Sequence, residues 1–200
     1  MKKFFGFAFV LALFSVSAVP VFAGTTTCNG PKTGVISGNL DVPADATCTL
    51  NWAEVTGNVT VEGILVSVTT KFDRNVTVTG GSIQIVNGWG DNSKLAGNLT
   101  ITGSSANSGI YCPNTSNVID GNLTFTGNSG RLYVCQATVG GNVNVSDNIR
   151  NNTDFSGPQA ADLNNIKAGK NLSCDGNVPY LTGSGNTAVG QLLGQCSPLN

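Results

Sequence analysis

The sequence predicts an all-β chain, a right-handed parallel β-helix (solenoid) of about seven coils with disulfide-stapled ends. Three observations carry that expectation: a short alternating motif recurring once per coil, a shortage of helix-forming stretches, and six cysteines spaced one repeat apart in pairs. An antiparallel sandwich would reverse the chain about every eight to twelve residues without needing the same motif each time. Identical strands returning a full coil apart can instead stack in parallel register, and parallel crossovers are right-handed.

The motif reads GNLDVP from residue 38, GNVTVE from 57, RNVTVT from 74, GNLTIT from 97, GNLTFT from 121, GNVNVS from 141 and KNLSCD from 170. Its asparagines are Asn39, Asn58, Asn75, Asn98, Asn122, Asn142 and Asn171, and the longest gap lies between the last two. A period of about twenty residues is that of a solenoid coil. After each Asn the order is apolar, polar, apolar, the mark of a short strand with one buried face. A second strand-like run lies between copies (46–50, 63–68, 82–86, 109–112, 131–135), and a weaker third element precedes most of the asparagines. The repeating Asn is expected at a corner because it tolerates left-handed backbone better than most residues, with the preceding Gly, present in five of seven copies, leaving that corner unhindered. Stacked one above another, the amides would form a ladder.

The ends follow from the leader and the cysteines. Segment 1–23 opens with Lys2 and Lys3, continues as an apolar run and closes on small residues near Ala23, the layout of a signal peptide cleaved before Gly24. The apolar core is too short to favour a spanning helix, so we expect a secreted or cell-surface protein (extracellular or periplasmic) with no membrane insertion after cleavage. Segment 24–37 is read as an N-terminal cap, 38–175 as the coils and 176–200 as a C-terminal cap. The intervals from Cys28 to Cys48, from Cys112 to Cys135 and from Cys174 to Cys196 are each about one coil. Strands roughly 4.8 Å apart suit a disulfide, so each pair is expected to bridge adjacent coils. An even cysteine count in an exported chain with no CxxC and no histidine points to disulfides, with no metal and no cofactor expected.

With Lys2 and Lys3 removed, 10 basic residues become 8 against 11 acidic ones. The absence of any basic block argues against nucleic acid as a partner.

The motifs GNLTIT, GNLTFT and GNVTVE and the ending LTGSGNTAVGQLLGQC resemble the exported Gly-Asn-Val/Leu-Thr repeat proteins of bacteria. The resemblance covers about residues 38–196 and implies export and a right-handed β-helix of the pectate-lyase-like kind. It implies no activity. Lyases of that architecture bind calcium through clustered carboxylates, and glycosidases need paired ones. Here Asp73 and Asp120 occupy similar corners two coils apart, about 10 Å, beyond a retaining pair. Arg74 and Arg131 read as surface arginines rather than lyase bases, and no catalytic residue is assigned.

Binding surfaces are better marked. The polar positions of the aligned strand, Thr60, Thr77, Thr79, Thr100, Thr102, Thr124 and Thr126, would stand in two parallel ranks. Such an array resembles the flat threonine faces of ice-binding β-helices. Among the aromatics, Trp52, Phe72, Trp89, Tyr111, Tyr133 and Tyr180 offer surfaces for sugars, Trp89 from a loop and Trp52 and Phe72 equally as corner covers. The insertion after Asn142 carries Asp154 and Phe155 as further loop contacts. These readings lead to a non-enzymatic structural or adhesion rod whose partner is an extracellular glycan or another copy of the chain. A carbohydrate-binding module, with ice as a special case, is the alternative, and a polysaccharide lyase or hydrolase the third reading.

Overall fold

A computed structural model describes residues 24–86, 93–111, 116–150 and 159–200. The chain winds as a three-faced parallel β-solenoid. Nine strands make the first face: Thr25–Thr27, Asn39–Val42, Val59–Val61, Val76–Thr79, Leu99–Thr102, Leu123–Thr126, Val143–Ser146, Leu172–Asp175 and Leu192–Gly194. Seven of these begin at or just after a repeat asparagine, which gives seven turns with one further strand at each end. The second face stacks Ile64–Val68, Ser82–Val86, Ser108–Tyr111, Leu132–Cys135, Ala161–Asn164 and Leu181–Ser184. The third stacks the very short Lys71–Phe72, Lys94–Leu95, Asn117–Ile119, Ala137–Val139, Lys167–Ala168 and Thr187–Ala188. Strand Thr47–Val55 bends through both of these faces, pairing with Ile64–Val68 by its first half and with Lys71–Phe72 by its second.

Register is one repeat per turn, and it builds the core as columns. Leu40, Val59, Val76, Leu99, Leu123, Val143 and Leu172 stand in one column, and Val42, Val61, Val78, Ile101, Phe125, Val145 and Cys174 in the next. None of the fourteen is more than 1% exposed. Burying a Val, Leu or Phe side chain contributes about 1.5–3 kcal/mol, so the alternation that marks the motif is also the largest source of stability on this face.

The repeat asparagines form the expected ladder. Asn75 Oδ1 accepts the Asn98 backbone N–H at 2.9 Å and its Nδ2 at 3.0 Å, Asn98 Oδ1 accepts the same pair from Asn122 at 2.8 and 3.1 Å, and the series ends where Asn171 Oδ1 accepts Gln191 N at 3.0 Å. Contrary to expectation, none of the ladder asparagines has left-handed backbone. The preceding glycine does leave the corner unhindered, through close approach: a Cβ on Gly121 would lie 2.5 Å from the Gly97 carbonyl oxygen of the turn below, and one on Gly141 would lie 2.3 Å from Asn122 Oδ1, while Gly38 alone of the motif glycines has left-handed backbone, at φ 93°.

A second ladder runs inside the corner between the first and second faces. Asn148 is fully buried; its Oδ1 accepts Asn128 N at 3.0 Å and Nδ2 at 2.8 Å, while its own Nδ2 donates to Asn177 Oδ1 at 2.7 Å and to the Phe125 carbonyl at 3.3 Å. Ser104 N opens the series on Asn128 Oδ1 and Gln195 Oε1 closes it under Asn177.

Both ends are stapled. Cys28–Cys48 and Cys174–Cys196 join neighbouring turns at Cα separations of 5.4 and 5.1 Å. Cys135 is disulfide-bonded too, while Cys112, the partner expected for it, lies outside the described residues. Closing a loop of about twenty residues in this way contributes on the order of 3 kcal/mol. Disulfides of this kind persist in oxidising compartments. Segment 24–37 adds a strand to each of the faces it meets, with Pro31 on its free edge and Lys32 in register with buried Leu50, both devices that blunt a sheet edge. At the far end a single 3₁₀ turn, Ser197–Leu199, lays buried Leu199 over the last turn, its carbonyl accepting Asn186 Nδ2 at 2.7 Å. Among the described residues no helix is long and apolar enough to cross a membrane.

Candidate functional site

The first face carries its threonines outward because β-branched residues suit exposed strand positions and pair well across a sheet. Register aligns Thr60, Thr77, Thr100 and Thr124 in one rank, continuing into Asn144 and Ser173, and Thr79, Thr102 and Thr126 in the second, continuing into Ser146 and Asp175. Thr60, Thr77, Thr79 and Thr102 are exposed, while Thr100, Thr124 and Thr126 are half-buried between neighbouring turns. Thr126 Oγ1 and Ser146 Oγ lie 3.3 Å apart, so the second rank hydrogen-bonds along itself at that point. Hydroxyls in each rank recur at the strand spacing of about 4.8 Å, and the ranks lie about two residues of strand apart.

Among the described residues, three carboxylates are paired with lysines. On the third face Lys71 bridges Glu54 and Asp73, the latter at 2.9 Å, and Lys94 holds Asp120 at 3.3 Å. Hydrogen bonds first to Glu54 and then to Asp73 hold the Lys71 ammonium above its ordinary pKa. Asp73 and Asp120 are thus each committed to a different lysine. No group of three or more His, Cys, Asp or Glu among the described residues is arranged to hold a metal.

Compared with known protein families, curated proteins and solved structures, the chain matches none.

The aromatics divide. Phe72 is 1% exposed and belongs to the core, so it is no sugar platform. Trp52 does the opposite: it stands 59% exposed at the corner between second and third faces. Tyr111 and Tyr133 stack on the second face with ring centroids 5.3 Å apart, and the Arg131 guanidinium lies 4.2 Å over the Tyr133 ring. Burial, and then the adjacent Tyr133, push the Tyr111 hydroxyl above its ordinary pKa, with Arg131 pulling part of the way back.

Arg131 itself corrects the sequence reading. It is not a surface arginine: its side chain is 6% exposed and pairs with Asp162, which also accepts from Thr182 Oγ1 and Gln159 Nε2. Buried Arg150 donates to the Gln159 carbonyl at 3.1 Å. Sequence reasoning missed this network because Arg131 and Asp162 are far apart in the chain and meet only through the register of Leu132–Cys135 with Ala161–Asn164. Trp89, Asp154 and Phe155, the expected loop contacts, lie outside the described residues.

Proposed function

We propose that the chain is an exported, non-enzymatic structural or adhesion protein, a rigid rod of the cell surface or extracellular matrix. The observation that supports this best is the continuity of the first face, nine parallel strands in unbroken register, about 38 Å long at the usual strand spacing. Disulfide staples near both ends and two amide ladders add the durability that an extracellular rod needs. The leader-like segment 1–23 and the resemblance to bacterial Gly-Asn-Val/Leu-Thr repeat proteins support export from a bacterial cell. Expression of the full chain with a C-terminal tag tests the reading. A chain cleaved near Gly24, recovered oxidised from the medium or cell surface and resistant to protease until reduced, is the expected result. Recovery of the uncleaved chain with reduced thiols, or release of products from polysaccharides, would overturn it.

A second reading, a glycan-binding module with ice as a special case, is favoured by the two in-register threonine ranks. Failure of the purified protein to inhibit ice recrystallisation removes the ice case, and failure to be retained on any immobilised polysaccharide removes the rest.

A further inference from the structure

The corner between the second and third faces has left-handed backbone in turn after turn. Trp52, Thr69, Gln136, Asn165 and Gly185 stand there at φ of 51°, 48°, 49°, 53° and 68°. The register of the residues just before them places Trp52 against Thr69, and Gln136 against Asn165 and Gly185. Asn165 and Gly185 are residue types such a position accepts, while Thr69 and Gln136 share the strained backbone with Trp52. Any residue with a Cβ costs about 1–2 kcal/mol there in backbone strain, and the indole does little for the core in return, since Ala53 and Val55 beside it are already buried. The corner thus presents to solvent a large apolar ring for which the core has no use.

The surroundings of the ring have the make-up of a site. Gly34, at φ 74° with open space where a Cβ would stand, leaves a notch in the turn above, and Val35 beside it is 64% exposed. With Trp52, Glu54, Thr70 and Lys71 they line a cavity of about 290 Å³. The lining joins apolar Trp52 and Val35 to a carboxylate and an ammonium, Glu54 and Lys71, the combination that engages both the C–H face and the hydroxyls of a sugar ring. Of the charged residues lining the cavity, Lys71 and Glu54 balance, and Asp73, outside the lining, adds a second carboxylate on the same ammonium at 2.9 Å. The Lys71 ammonium is thus already neutralised by two carboxylates and offers no free positive charge to a uronate, which leaves neutral sugars.

We infer that Trp52 is the stacking platform of a binding site for a neutral pyranose of an extracellular polysaccharide, with the Glu54–Lys71–Asp73 network hydrogen-bonding the sugar hydroxyls. The inference rests on the glycan-binding reading above. Calorimetric titration of the full-length mature protein with cellohexaose, chitohexaose, mannohexaose and hexagalacturonate tests it, alongside Trp52→Asn and Trp52→Phe. Asn is chosen because it accepts left-handed backbone, so the fold survives and the melting temperature stays at or above that of the wild type. The expected result is binding of at least one neutral oligomer and none of hexagalacturonate, weakened roughly tenfold or more in Trp52→Asn and restored in part by Trp52→Phe. Undiminished binding in Trp52→Asn would overturn this site while leaving the glycan-binding reading intact, and no binding of any neutral oligomer would overturn both. A wild-type dimer in light scattering that Trp52→Asn converts to monomer would make the patch a contact between copies of the chain and overturn the sugar site.

Discussion

Replacing Asn148 by Ala isolates what the buried amide ladder contributes. Asn148 is fully buried, and its removal leaves the Asn128 backbone N–H and one Asn128 Nδ2 proton without their acceptor. The other Nδ2 proton keeps its bond to the Ile101 carbonyl at 3.1 Å. Two orphaned buried donors at about 1–3 kcal/mol each give a loss of about 2–6 kcal/mol, a large share of the roughly 5–15 kcal/mol that holds a domain of this size. The exposed ladder supplies the control. Asn98 makes the equivalent bonds to Asn122 N and Nδ2, but water replaces them, so Asn98→Ala costs about 0.5–1.5 kcal/mol. Guanidinium denaturation of the oxidised proteins, followed by circular dichroism, compares the two. A cost for Asn148→Ala no greater than that for Asn98→Ala would refute the argument that burial makes the inner ladder the stronger one.

Further outcomes follow from the same geometry. Gly121→Ala drives a methyl into the backbone of the turn below and costs several kcal/mol, whereas Gly127→Ala, with open space but φ of 64°, costs about 1–2 kcal/mol; thermal melts of the two rank them. Arg131→Ala leaves Asp162 uncompensated and costs about 3–5 kcal/mol, and adding Asp162→Ala recovers part of that loss, read as a positive coupling in a double-mutant cycle. Because the folded-state pKa of Tyr111 lies above its ordinary 10.0, the folded state keeps a proton that the unfolded chain releases. Its contribution is therefore complete below about pH 10 and is lost as pH rises from there through the folded value. Tyr111→Phe flattens the alkaline fall in unfolding free energy, and an unchanged fall contradicts the assignment.

The columns of the first face were legible in the sequence because Leu99, Ile101 and their counterparts alternate strictly with threonines and recur once per turn. The outer ladder was legible for the same reason. The inner ladder was not, although its signal is present: Ser104, Asn128, Asn148 and Asn177 each stand six positions after Asn98, Asn122, Asn142 and Asn171. Residues such as Asn128 in TGNSG look like ordinary turn formers, and composition does not say whether a corner amide points in or out. The third face shows in the sequence only as the weak element before most of the asparagines, because strands as short as Lys71–Phe72 or Lys167–Ala168 cannot display a period of two. The motif glycine keeps the corner unhindered as the sequence suggests, whereas the left-handed backbone expected of the asparagine is absent, because its amide is held by the neighbouring turn rather than by its own backbone preference. Trp52 and Phe72 were indistinguishable in sequence, each an aromatic near a corner, and only the register sends one into the core and the other into solvent.

Spin labels placed along one threonine rank measure the stack most directly. Register puts five strand spacings between Thr60 and Ser173 and seven between Thr27 and Ser173. Pulsed dipolar distances of about 24 Å for the first pair and about 34 Å for the second are expected between backbones, with narrow distributions and equal steps from turn to turn. Distances that fail to grow with turn number, or broad distributions in the oxidised protein, would contradict a rigid rod built of stacked, in-register turns.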